Sequence, residues 1–243
     1  MDEKKDRILE LVYAPSTAQD GQPTALTSYV DRMKEDQQFI YYMSGASPDV
    51  LARSPHLEAL REKGIEVLLF TDPVDDVWLE QMPPEFRGKR FRSVDRGELD
   101  LGEPAGEASG EEDRSEAAAD FADLLAPLRV ALQDDVKEVR LSSRLTSSAA
   151  CLVRDEGDLS PQLEAMLRHA GQDVPTRKPI LELNPRHPLL ERLREIAAAD
   201  AGDPRIAEAA GLLHAQAVLA DGGQLADPRA FNEKLSDLMV KGL

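Results

Sequence analysis

An α/β layer followed by a mixed α+β domain that closes in a helix hairpin is the fold class this 243-residue chain predicts, and three observations predict it. Residues 40–76 run through a strand, a helix and a second strand pattern in about thirty residues, the signature of a βαβ-like unit. Residues 95–117, DRGELDLGEPAGEASGEEDRSEA, are acidic, glycine-rich and nearly devoid of large apolar groups, so they cannot bury enough surface to offset the entropy of ordering. Near the end, Asp203-Pro204 and Asp227-Pro228 are matching helix starts separated by the breaker Asp221-Gly222-Gly223. The boundaries predicted are a first domain at 1–95, a linker at 96–117 and a second domain at 118–243.

Within the first domain, Ile8, Leu9, Leu11 and Val12 predict a short amphipathic helix over 4–13, and 14–23 reads as polar loop. Thr24 is placed to cap a helix carrying Leu26, Tyr29, Val30 and Met33, whose spacing forms one face. A strand opens at Phe39 and runs to Met43. Ser47-Pro48 and Ser54-Pro55 each put a capping hydroxyl before a proline at the first helical position. Gly64 stops the second of these helices, because glycine takes the left-handed C-terminal cap without strain. Residues 65–71 form a strand whose unbroken apolar row, Val67 to Phe70, suits burial on both faces. Pro73 starts a helix with Val74, Val77, Trp78 and Gln81 along one side, and 89–94 returns as a strand.

In the second domain, Phe121, Leu124, Leu125, Leu128 and Leu132 give a helix bent at Pro127. Strands are predicted at 136–141, 149–153 and 179–183, and Asn184-Pro185 is read as the start of a helix carrying Leu189, Leu190, Leu193 and Ile196. Leu159, Leu163, Met166 and Leu167 fall on one face of a short helix between charged, glycine-containing hinges, either a movable contact segment or an ordinary core helix. The closing pair carries Ile206, Leu212, Leu213, Ala217 and Val218 on its first helix, and Phe231, Leu235, Leu238 and Met239 on its second. Faces this broad at a chain end are covered economically by a second copy in a four-helix interface, or else by the helices' own domain.

The formal charge of −17, from 46 acidic against 29 basic residues, argues against a nucleic-acid partner, whose binding depends on basic groups releasing counterions. The single cysteine, Cys151, has no internal disulfide partner and sits among apolar neighbours as a small buried hydrophobe. No apolar run reaches the ~18 residues of a membrane span, and the start lacks a secretory hydrophobic region, so a cytoplasmic protein without membrane contact is expected. His56, His169, His187 and His214 form no metal-ligand spacing, and neither a glycine-rich phosphate loop nor a nucleophile elbow is present. Asp72, Asp75 and Asp76 cluster around Pro73, where helix capping accounts for them better than a cation site. Trp78 is either core or an exposed contact anchor.

Several runs carry a resemblance: Tyr41-Tyr42-Met43-Ser44-Gly45, Ser54-Pro55-His56-Leu57-Glu58, residues 63–69 (KGIEVLL), residues 71–76 (TDPVDD), residues 136–146 (VKEVRLSSRLT) and residues 180–185 (ILELNP). In order and spacing, from Ile8 to the last residue, they resemble the ninety-kilodalton heat-shock chaperones in their bacterial form, HtpG. That resemblance implies a C-terminal portion: the small αβα end of the middle domain, then the dimerisation domain. It implies a cytoplasmic stress-response and protein-folding chaperone whose ATP- and magnesium-binding machinery lies upstream, so that this portion has no cofactor and is not an enzyme. The partners implied are a second copy, client polypeptides and the upstream domains. Client contact is implied for Val77, Trp78, Gln81, Leu159, Leu163, Met166 and Leu167. The usual aromatic at the position of Val77 is moved one place, to Trp78. Dimerisation is implied for the residues of the closing helix pair. Residues 240–243 (VKGL) differ from the Glu-Glu-Val-Asp tail of eukaryotic cytosolic relatives, so tetratricopeptide co-chaperones are not expected. The rival from another class is a free-standing α/β enzyme or ligand-binding domain, which requires a closed pocket with converging polar groups.

Overall fold

The computed structural model describes residues 7–18, 22–81, 85–99, 118–175 and 177–242. Its contacts divide the chain into two compact units, one of residues 1–99 with Asp155–Arg177, the other of 100–154 with Lys178–Leu243. Residues 155–177, read from sequence as part of 118–243, thus pack with the first unit.

The first unit is built on a four-stranded sheet of order β4-β3-β6-β5. The strands are β3 (Phe39–Ser44), β4 (Leu68–Phe70), β5 (Glu85–Phe86) and β6 (Lys89–Ser93); β3 is parallel to β4 and β6, and β5 is antiparallel to β6. Between β3 and β4 run α2 (Pro48–Leu51), a 3-10 turn at Pro55–Leu57 and α3 (Glu58–Glu62), giving the expected βαβ crossover. Gly64 closes α3 at φ +60°, with the Gly64 N–H donating to Arg61 and the Ile65 N–H to Leu60, a Schellman cap. Ser54 accepts from the His56 N–H, whereas Ser47 makes no side-chain cap.

Three expectations are corrected in this unit. The helix over 4–13 is described only from residue 7, is helical at 7–9, and gives way to β1 (Tyr13–Pro15). The presumed loop instead supplies a hairpin, β1 pairing antiparallel with β2 (Pro23–Ala25). Thr24 lies in β2 rather than capping α1 (Leu26–Arg32), and its hydroxyl accepts from Arg32. Arg32 also clamps the Glu66 carboxylate, onto which Ser16 donates, while the Tyr29 hydroxyl donates to the Glu66 carbonyl. The linker also starts later than residue 96, since Leu99 is buried; residues 100–117 lie outside those described.

The second unit has a three-stranded sheet, β7 (Glu138–Leu141), β9 (Ile180–Leu183) and β8 (Ala150–Val153), with β9 central, parallel to β7 and antiparallel to β8. One face packs Val139, Leu181 and Leu183 against Leu124, Leu125 and Leu128 of α5 (Ala122–Ala131), which contains Pro127, and against Leu190 and Leu193. The opposite face gathers Cys151, Val153 and Ile180 with Leu145, so Cys151 is the buried hydrophobe anticipated. In the first unit, α4 (Pro73–Gln81) precedes β5, and α6 (Pro161–His169) lies within the 155–177 segment. The second unit ends in α7 (Pro188–Ala199), α8 (Pro204–Ala220) and α9 (Pro228–Gly242). Asn184 does not start α7: it forms a turn that accepts from the Arg186 N–H, and the true cap is His187, whose Nδ1 accepts from Leu189. Among the described residues no helix is long and apolar enough to cross a membrane.

Candidate functional site

The three acids around Pro73 each have a separate task. Asp72 Oδ1 accepts from the Val74 N–H and caps α4. Asp75 Oδ1 accepts from the Trp78 indole N–H at 2.9 Å, and burial pushes the Asp75 carboxyl up from its ordinary value against the pull of that bond. Asp76 is buried and its Oδ2 accepts from the Ser160 hydroxyl at 2.7 Å. Among the described residues no group of three or more His, Cys, Asp or Glu is placed to hold a metal ion.

Trp78 is half-buried, with its ring edge-on to Phe70 and Phe91 at centroid distances of 5.6 and 5.9 Å. It is therefore a flank of the first core rather than a free anchor. Val77 beside it is half-buried, and the side chain of Gln81 lies outside those described. Helix α6 packs on α4. Leu163, expected on an open face, is 7% exposed, whereas Met166 is 40% exposed; Leu159 and Leu167 lie between. Sequence reasoning missed Ser160, which caps α6 through the Leu163 N–H and holds Asp76 with the same oxygen. The signal was there: Ser160-Pro161 is a third serine-proline start, like Ser47-Pro48 and Ser54-Pro55.

In the second unit Asp203 accepts from the Arg205 N–H at the start of α8, and Asp227 from the Ala230 N–H at the start of α9. Hydrogen bonds from the Arg205 side chain and backbone hold the Asp203 carboxyl at about 2. Helix α8 spends one stripe, Ile206, Ala210, Leu213 and Ala217, on its own core, so Ile206, Leu213 and Ala217 are not on an open dimerisation face. Leu212 and Val218 are half-buried. A groove of about 270 Å³ between the two helices is lined by Leu212, Val218, Leu225 and Phe231 among others. Beyond it α9 stands open: Leu235 is 41%, Leu238 47% and Met239 61% exposed, with Phe231 half-buried at the head of the same face.

A buried polar cluster stiffens the sheet of this unit. Glu182 on β9 accepts from Arg144 (Nε, 2.8 Å), Arg140 (Nη2, 2.8 Å) and Ser142 (Oγ, 2.7 Å), and Arg144 is wholly buried. Burial works to raise the Glu182 carboxyl, but the Arg144 charge and the hydrogen bonds from Arg140, Ser142 and Arg144 outweigh it and leave it below the usual range. In the first unit a hollow of about 330 Å³ is lined by Tyr29, Arg32, Lys34, Arg61 and Glu66. Its polar groups are turned onto their own chain: Arg32 onto Glu66, Lys34 onto the Lys63 carbonyl, Arg61 onto the Ala52 carbonyl at 2.5 Å. A free-standing enzyme would need such groups to converge on a ligand instead.

Of the helix faces singled out from the sequence, that on α6 is half-covered and that on α9 is open, and comparison with known proteins gives them a setting. The Hsp90 protein family model matches residues 1–243. The chain belongs to the Hsp90 family. Within that family it is 46% identical over 241 residues to the chaperone protein HtpG of Frankia casuarinae and to that of Mycobacterium avium, in both cases across 99% of this chain. It is 46% identical over 243 residues to the chaperone protein HtpG of Mycobacterium tuberculosis. The chain spans 37% of the length of each of these three relatives. Both faces thus belong to a chain of the Hsp90 family, and the free-standing enzyme reading is not favoured.

Proposed function

We propose that this chain is the dimerisation and client-contacting portion of an ATP-dependent Hsp90 chaperone, the part that joins two protomers and offers weak apolar contact to non-native polypeptide. The observation that carries the reading is the open row Leu235, Leu238 and Met239 on α9, which its own unit leaves uncovered. A symmetric partner places the same row against itself, so both copies bury it at once. Client contact falls to Met166, with Leu159 and Leu167 beside it, because methionine and leucine adapt to varied partners. In this reading ATP and magnesium are bound by other parts of a longer protein.

Two measurements test the reading. Light scattering at micromolar protein is expected to return twice the subunit mass, and a single subunit mass refutes the dimer. Met166→Asp is expected to weaken suppression of aggregation of a thermally unfolded reporter protein while leaving the doubled mass intact. Unchanged suppression removes α6 from the client surface.

A further inference from the structure

The hollow of about 330 Å³ in the first unit is bordered by the end of α1, by α3 and by the turn from α3 into β4. Met33, Leu57, Leu60, Ile65 and Val67 give it an apolar interior, and Arg32, Lys34 and Arg61 bring three cations to it. Among the described lining residues Glu66 is the one acid, and Arg32 cancels it through hydrogen bonds at 3.0 and 2.7 Å. Lys34 and Arg61 are placed differently. Each donates to a neutral backbone carbonyl, of Lys63 and of Ala52, so a hydrogen bond is satisfied and the charge is not. Among the described residues neither enters an ion pair. An ammonium carries three N–H donors and a guanidinium five, so a single carbonyl leaves most of them free for a further acceptor. Both side chains are exposed and can turn toward one.

We infer that this hollow binds a small amphipathic anion, a carboxylate on a short apolar body, with the body against Met33, Leu57 and Ile65 and the carboxylate at Lys34 and Arg61. The volume lies at the small end of the range for ligand pockets, about 300–1,000 Å³, and an apolar lining with a few charged groups at one side is their usual composition. Two features of the ligand are selected together. A neutral body of the same shape forfeits the charge-assisted bonds to Lys34 and Arg61, and a carboxylate without a body leaves the apolar lining unfilled. A long polyanion is disfavoured by the rest of a chain whose formal charge is −17, so the attraction is confined to the hollow. The site shares no lining residue with either helix face proposed above for dimer or client contact, and stands independently of both.

Octanoate is the probe, with octanamide as its neutral match and acetate as the anion without a body. Calorimetric titration of the whole chain is expected to show octanoate binding about tenfold or more tighter than either control. Replacing Lys34 and Arg61 together by glutamine is expected to weaken octanoate by about tenfold or more. Arg192→Gln with Arg229→Gln, which removes the same charge from exposed positions of the second unit, is expected to leave it unchanged. Three results overturn the site: no octanoate binding; octanamide binding as tightly as octanoate, which marks an indifferent apolar surface; or an equal loss in the two double variants, which marks general attraction to positive charge. Backbone amide shifts of the unaltered chain decide the matter if the Lys34 and Arg61 variant fails to fold. Octanoate is expected to move the signals of 33–34 and 61–66, and shifts confined to other residues refute the assignment.

Discussion

Replacing Leu235 and Leu238 together by glutamate puts the proposed dimer to its most direct test. Both side chains lie on the open face of α9, exposed by 41% and 47%, so neither holds its own unit together. Fully burying a leucine is worth about 1.5–3 kcal/mol, and the share still exposed here is a little under half, or about 0.6–1.4 kcal/mol per site. Twofold symmetry uses each site twice, so four sites forfeit about 2.4–5.6 kcal/mol before the four added carboxylates are counted. At about 1.4 kcal/mol per tenfold, dissociation strengthens by at least about two to four orders of magnitude. Glutamate is a good helix former, so the helix itself is not penalised. Light scattering at micromolar protein is expected to show the doubled mass reduced to one subunit, with exchange protection of β7 to β9 preserved. A variant that keeps the doubled mass would refute the assignment of this face.

Glu182→Leu removes the carboxylate paired with the buried guanidinium of Arg144, and is expected to cost about 3–5 kcal/mol in urea unfolding at fixed protein concentration; an unchanged midpoint would show the cluster to be idle. The folded Glu182 carboxyl lies below its unfolded value, so its stabilisation is present above the unfolded pKa of about 4.3 and is lost as pH falls through the folded one. In the wild type this appears as acid destabilisation that Glu182→Leu lacks. Asp75 has the opposite sign: its raised carboxyl favours folding most at low pH and less once it ionises, so Asp75→Asn, which keeps an acceptor for Trp78, is expected to hold or raise the melting temperature at pH 7. Gly64→Ala is expected to cost about 1 kcal/mol, read as a lowered melting temperature, because φ +60° suits glycine.

Where a signal is carried by backbone chemistry within a few residues, the sequence was legible. Gly64, Asp203-Pro204 and Asp227-Pro228 mark real helix ends, and the apolar row at 67–70 is buried throughout. Misreadings arose where a local rule had two outlets. Thr24 is a good cap, but it is equally at home in a strand, and pairing with β1 won. Asn184 does form a turn, yet the helix waits for His187, an unusual cap that no common pattern flags. The apolar spacing of Leu159, Leu163, Met166 and Leu167 is correct for one face of a helix, but spacing does not say what covers that face. Cover came from α4, far away in sequence, through a serine whose capping role was readable and whose second bond was not.

The two closing helices differ in what holds them, and the difference has a measurable consequence. Helix α8 has a stripe locked into the core of its unit, so its fold does not depend on a partner. Helix α9 has 15 residues, a cap from Asp227 and a seam along Ala230 and Phe231, with the rest of its described side chains exposed. An isolated helix of about that length is marginal in water, since nucleation is costly and helical stability in proteins comes mostly from packing. If the partner supplies that packing, α9 orders with the dimer and frays when it separates. Exchange across 228–242 is therefore expected to quicken on dilution through the dissociation range, while 204–220 keeps its protection. Protection of 228–242 that does not change with concentration, over a range in which the mass halves, would mean that α9 is held by its own chain and that its open face is not what joins the two copies.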